Sequence, residues 1–135
     1  MFTRTGFILY VLNYEECVAF YRDVLGLPVL FEAPSLTSFE FGPSYLIVEF
    51  DDERDGMGTE AEVSVARAYH TMCLRMNVPD VKAYADRLTA RGVEVDVQEH
   101  SWGTVAKFVD PAGNLCAFKD DALFEQQIRD HLPGV

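Results

Sequence analysis

Apolar residues along the chain follow two rhythms, one of period two and one of period three to four, and their order predicts the elements. Gly6 opens the β-prone run Phe7-Ile8-Leu9-Tyr10-Val11-Leu12, the first expected strand. Asn13 then offers an N-cap oxygen, with Glu16 three residues on, a capping-box arrangement that predicts a helix from Tyr14. Cys17, Phe20, Tyr21, Val24 and Leu25 line one face of that helix, and Gly26 supplies the left-handed residue that ends it. Pro28 to Glu32, Thr37 to Phe41 and Tyr45 to Phe50 follow as short strand-like runs separated by Pro- and Ser-bearing turns, so this half reads βαβββ.

The same order returns after an acidic, Gly-containing stretch from Asp51 to Glu62, read as an exposed linker, and a lead-in from Val63 to Ala66. His70 to Met76 is the next expected strand and Asp80 the next N-cap. Val81, Tyr84, Ala85 and Leu88 form the inward face of a helix that stops before Gly92. Val93 to Gln98, Thr104 to Val109 and Leu115 to Lys119 supply three further strands. The last two are joined by the turn Asp110-Pro111-Ala112-Gly113-Asn114, where Pro fixes φ and Gly permits a positive one. A terminal helix is expected from Asp121 to His131, with Leu123, Phe124, Ile128 and Leu132 as its apolar face.

Asn13 to Gly26 and Asp80 to Gly92 are equivalent cap-to-stop intervals of similar length, the mark of an internal duplication. The expectation is an α+β chain of two tandem βαβββ modules in one domain of residues 1–135. Module 1 covers about 4–50, the linker about 51–66, module 2 about 67–120 and the tail 121–135.

Composition narrows the function. A chain of 135 residues, 49% of them hydrophobic, is the size of one ordinary domain with one sizeable core. The net charge of −11 argues against nucleic acid or an anionic membrane as partner, because phosphate binding needs clustered Lys and Arg. No apolar run approaches the ~18 residues of a membrane span, and Met1 to Arg4 lead straight into a strand, so a soluble, unexported protein is expected. Cys17, Cys73 and Cys116 are odd in number and lack a CxxC spacing, which disfavours a disulfide framework or zinc finger and fits a reducing cytoplasm.

Three segments together resemble a known family. Ala19 to Val29, AFYRDVLGLPV, looks like the helix-to-strand signature of vicinal-oxygen-chelate domains, the superfamily of glyoxalases and bleomycin-resistance proteins, and NVPDVKAYADRLTARGVEV looks like its second-module counterpart. Trp102-Gly103 followed by Lys107 to Asn114 is similar to the family's closing hairpin, WG…F.DP.GN. The resemblance implies that the strands curl into an open, cup-shaped mixed sheet with the helices outside, that this cup holds a small organic molecule, and that the chain pairs as a homodimer.

Metal-using members of that family place a His or Gln in the first strand, an acid in the fourth, a His in the fifth and a Glu in the eighth, because an ion that chelates two vicinal oxygens needs several N and O ligands on a rigid sheet. Carried onto this sequence, those positions fall on Gly6, on Ile47 or Glu49, on Cys73 and on Ala117. The expectation is therefore no metal and no cofactor. In the alternative, a β-bulge turns His70 inward to join Glu49 around a divalent ion.

Strand alternation puts Gly6, Ile8 and Tyr10 on the cup face of the first strand and Thr71, Cys73 and Arg75 on that of the fifth, with Phe7, Leu9, Val11, Met72, Leu74 and Met76 under the helices. Arg75 should meet a carboxylate, Glu49 being the nearest candidate, or an anionic group of a ligand. Tyr10 and Trp102 offer flat faces, Cys73 is read as a buried small residue, Lys119 as a cup-edge cation or simply solvated, and His100 and His131 as surface histidines. The expected ligand-binding residues are Tyr10, Glu49, Cys73, Arg75 and Trp102, in a metal-independent protein that binds or sequesters a small molecule. The alternative is a metal-dependent lyase, isomerase or dioxygenase.

Overall fold

The first strand finds its partner at the far end of its own module. In the computed structural model, which describes residue 1 and residues 4–52 and 72–131, β1 (Gly6–Val11) runs parallel to β4 (Ser44–Phe50), with Ile8 opposite Ile47 and Tyr10 opposite Glu49. β3 (Leu36–Phe41) is antiparallel to β4, and β2 (Val29–Ala33) is antiparallel to β3, which gives the order β1-β4-β3-β2. A parallel pair needs a crossover, and the helical segment between β1 and β2 begins it.

That segment differs from the uniform helix the periodicity predicts. α1 spans Tyr14–Ala19 and passes into a π-helical turn at Phe20–Val24, closed by Leu25 N–H donating to the Phe20 carbonyl over 2.9 Å. The wider turn accompanies the burial of two successive aromatic residues, Phe20 and Tyr21, which an α-turn would aim some 100° apart. Asn13 also departs from expectation, because its side chain caps no backbone N–H. Its amide nitrogen instead donates to Glu16 Oε2 at 3.3 Å and to the Pro111 carbonyl at 3.0 Å. Val11, Cys17, Tyr21, Phe39, Leu46 and Val48 fill the space between this segment and the sheet, each fully buried. Every large side chain among them contributes roughly 1.5–3 kcal/mol of hydrophobic stabilisation.

The second module repeats the plan. β5 (Cys73–Val78) is parallel to β8 (Leu115–Asp120), β7 (Gly103–Val109) is antiparallel to β8, and β6 (Asp96–His100) is antiparallel to β7, in the order β5-β8-β7-β6. α2 (Val81–Ala90) opens on Asp80, whose Oδ1 accepts from Ala83 N–H at 3.1 Å as the sequence predicts. Its Val81, Ala85 and Leu88 are buried, and Tyr84 meets Phe118 edge-on at 5.5 Å. α3 (Asp121–His131) follows β8 directly, and its Leu123, Phe124 and Ile128 remain exposed.

The chain is thus α+β, two tandem βαβββ modules with an open four-stranded mixed sheet in each. By its contacts it divides into two units, Met1–Tyr69 with Asp110–Gly113 and His70–Val109 with Asn114–Val135. Of the residues expected to pack under helices, Val11 and Leu74 do so, while Phe7 and Met72 are 40% and 59% exposed, near the strand starts where no helix reaches them. The linker core at 53–66, His70, Thr71 and Leu132 lie outside the described residues. Among the described residues, no helix is long and apolar enough to cross a membrane.

Candidate functional site

Each sheet has one face under its module's helix and one face turned away from it, and the register assigns residues to the latter. In the first sheet, Ile8, Ile47, Ser38 and Phe31 form one row across all four strands, and Tyr10, Glu49, Leu36 and Ala33 form the next. Ile8, Tyr10 and Phe31 are 45%, 52% and 54% exposed, so this face is apolar and accessible. Ile47 and Glu49 share it, as alternation predicts. Tyr10 and Glu49 also line a cavity of about 490 Å³ with Phe50, Asp51 and Asp52.

Gly6 stands on the same face, opposite Tyr45. The Tyr45 ring lies where a Cβ on Gly6 would be, so no side chain can occupy position 6 unless that ring moves. A close approach of this kind is one that only glycine permits.

In the second sheet the face away from α2 carries Cys73, Arg75 and Asn77 on β5, Ala117 and Lys119 on β8, and Val105 and Lys107 on β7. Arg75, Ala117 and Lys107 form one row, and Asn77, Lys119 and Val105 the next. Cys73 and Arg75 are therefore brought together on one strand face. Cys73 is exposed rather than buried, on β5 at the edge of its sheet. Partial desolvation still pushes the thiol pKa up by more than nearby Arg75 and Lys107 pull it down, so nothing here activates it as a nucleophile. Arg75 is exposed and forms no ion pair among the described residues.

Lys119 is the largest departure from expectation. Its side chain is fully buried, and its Nζ donates to the Trp102 carbonyl at 2.7 Å and sits 4.6 Å from the centroid of the Trp102 ring. Gly103, at φ +136, makes this possible, since a Cβ there would overlap Lys119 Nζ. Burial holds the Lys119 pKa below its usual value, and the positive charge of Arg75 lowers it further, against a smaller opposing effect of Asp120. Trp102 is thus not a free flat surface: the His100 ring stacks on it at 4.5 Å with 6° between planes, and the Lys119 ammonium lies over it. His131 is exposed on α3, hydrogen-bonded to the Gln127 carbonyl.

Sequence reasoning missed Lys107 and Tyr45, and the burial of Lys119. The spacing of Lys119 from Ala117 gave its face, but not the covering indole.

Among the described residues, which leave out His70, the donor set does not fit a divalent ion of the kind the resemblance implies. Gly6 and Ala117 offer no donor atom, position 6 is roofed by Tyr45, and among the described residues no three of His, Cys, Asp and Glu gather closely enough to share one.

Two open four-stranded mixed sheets, of order β1-β4-β3-β2 and β5-β8-β7-β6, each in a βαβββ module with one face free of its helix, define a tandem-module α+β protein. The chain belongs to the Glyoxalase/Bleomycin resistance protein/Dioxygenase superfamily, whose model matches residues 4–118. Solved structures share the fold. A lactoylglutathione lyase from Agrobacterium tumefaciens superposes with a TM-score of 0.68 at 23% identity, over 89% of this chain and 94% of that one. TnmS3, an antibiotic binding protein from Streptomyces sp. CB03234, gives 0.68 at 22% identity over 89% and 96%. A glyoxalase/bleomycin resistance protein/dioxygenase from Nocardioides gives 0.67 at 21% over 89% and 83%. No curated protein matches significantly.

Proposed function

We propose that this chain is a metal-independent protein that binds or sequesters a small organic molecule on the sheet faces turned away from its helices. The observation that carries the reading is the pairing of accessible recognition groups with a depleted donor set. Tyr10 and Arg75 stand exposed on such faces, while two of the four inherited ligand positions, Gly6 and Ala117, hold no donor. Tyr10 and Glu49 on the face of the first sheet, and Cys73 and Arg75 on that of the second, are the residues assigned to ligand contact, while Trp102, whose ring is taken up by His100 and Lys119, is left out. An antibiotic-binding protein of the same fold supports the reading by analogy of fold alone.

The protein acts as a cytoplasmic homodimer in this reading. Support comes from Leu123, Phe124 and Ile128, apolar and exposed along α3, which a second copy would cover. Native mass spectrometry of protein purified without additives tests both points. A dimer carrying a stoichiometric organic adduct and no metal is expected, and a tightly held stoichiometric divalent ion would overturn the reading in favour of a metal-dependent lyase, isomerase or dioxygenase.

A further inference from the structure

We propose that the face of the second sheet away from α2 is a receptor for the anionic group of a small organic acid, held by Arg75, Lys119 and Lys107 over the methyl floor of Ala117. The proposal rests on the small-molecule reading above and names the ligand's chemical class.

Three cations meet on that face. Arg75 and Lys107 flank Ala117 in one row of three adjacent strands, so their Cα atoms stand about 10 Å apart at the usual strand spacing. Both side chains are long enough to converge over the small residue between them. Lys119 enters from the next row, beside Asn77. The chain has 11 basic against 22 acidic residues, yet none of these three cations has a carboxylate within ion-pair distance among the described residues. By contrast Arg22 and Lys82 are paired, with Asp23 and Glu99.

The acids that border the face are turned to other partners. Asp96, across from Lys107, accepts from Gln98 at 2.7 Å, Asp121 accepts from Asn77 at 3.3 Å, and Asp120 caps Leu123 N–H at 3.1 Å.

Lys119 turns the cluster from a coincidence of surface charge into a built site. An ammonium has three N–H donors, and this fully buried one meets, among the described residues, one neutral carbonyl and an indole ring, with no carboxylate within ion-pair distance. The backbone is shaped to keep it there, since Gly103 leaves the space its Nζ fills. A second cation, Arg75, is near enough to disfavour its charge. An anion bound between the two removes that repulsion and supplies further acceptors, with the guanidinium giving a two-pronged contact. At physiological ionic strength the screening length of about 8 Å leaves this local field largely independent of the chain's overall negative charge.

The test uses matched probes on the full chain: benzoate, its uncharged counterpart benzamide, and inorganic phosphate, titrated by NMR of backbone amides and of the lysine ammonium groups. Saturable shifts of Arg75, Lys107, Ala117 and Lys119 with benzoate and phosphate but not benzamide are expected. So are a rise in the Lys119 pKa on binding and a loss of affinity of at least tenfold in Arg75→Met and in Lys119→Met. Should Lys119→Met fail to fold, Arg75→Met and Lys107→Met carry the same test.

Saturation by benzamide at these residues with no preference for the anions would overturn the anion proposal and leave the small-molecule reading standing. Absence of any saturable shift, or unchanged affinity in the folded variants, would overturn it equally. The small-molecule reading is judged separately by the adduct found in native mass spectrometry.

Discussion

The Tyr21 hydroxyl donates a 2.6 Å hydrogen bond to Oδ2 of Asp110, a residue 89 positions later in the chain, and both are buried. Asp110 Oδ1 accepts from Ala112 N–H at 2.9 Å, so one carboxylate fixes its own turn and anchors that turn to the first helical segment. The pair accounts for two sequence features at once, the tyrosine inside the π-helical turn and the aspartate that opens the Pro-Ala-Gly-Asn turn.

Tyr21→Phe removes one charge-assisted donor from a buried carboxylate while keeping the ring against Phe20 and Phe39. A loss of about 1–3 kcal/mol is expected, since a buried acceptor deprived of its donor keeps its desolvation cost. Urea unfolding of the variant measures it. A change under about 0.5 kcal/mol, the size of an ordinary surface substitution, would mean that the bond does not anchor the turn.

Gly103→Ala is expected to be destabilising by roughly 1–3 kcal/mol, because the residue sits at φ +136, where side chains other than glycine are strained. The new methyl group also overlaps Lys119 Nζ, so the ammonium must leave the Trp102 carbonyl. Trp102 is the chain's single tryptophan, which makes its fluorescence a direct reporter. An emission shift in folded Gly103→Ala is the expected result, and an unchanged spectrum would show that the lysine keeps its place.

Much of the fold was legible because periodicity and punctuation agree. Asp80 caps α2, Gly26 and Gly92 take positive φ at the helix ends, and Arg75, Ala117 and Lys119 share a face as alternation requires. What alternation cannot give is the covering of a face. Cys73 and Lys119 both lie on the side away from α2, yet the thiol is exposed and the lysine is sealed, because the Trp102 ring lies against the lysine. That difference is set by a side chain 17 residues from Lys119 in sequence. Asn13 was misread for a similar reason: its amide nitrogen is turned to a tertiary acceptor, the Pro111 carbonyl, and its Oδ1 accepts from Cys17 Sγ instead of a backbone N–H.

Cys73 is exposed whereas Cys17 and Cys116 are buried, so iodoacetamide should label Cys73 first. The labelling should still be slower at neutral pH than that of an unstructured thiol, with a rate profile displaced to higher pH, because the thiol pKa is raised by desolvation. Peptide mass spectrometry across a pH series reads both rate and position. Rapid labelling at neutral pH would show that Arg75 and Lys107 outweigh the desolvation.

Lys119 gives the clearest pH signature for stability. Its folded pKa lies below the unfolded value of 10.5 because burial, and then Arg75, disfavour the charged form. At pH below the depressed folded pKa both states carry the proton, and the cost of burying the charge is present in full. As pH rises through the folded pKa toward 10.5 the native lysine is neutral while the unfolded one stays charged, so the unfolded state binds more protons and stability increases. Lys119→Met lacks this titration but keeps similar bulk, and all other groups cancel in the comparison. The stability difference between wild type and Lys119→Met should therefore be flat at neutral pH and move in favour of the wild type under alkaline conditions, as urea unfolding at several pH values would record. A difference that stays constant up to pH 10.5 would show that the buried ammonium is satisfied by the Trp102 carbonyl alone.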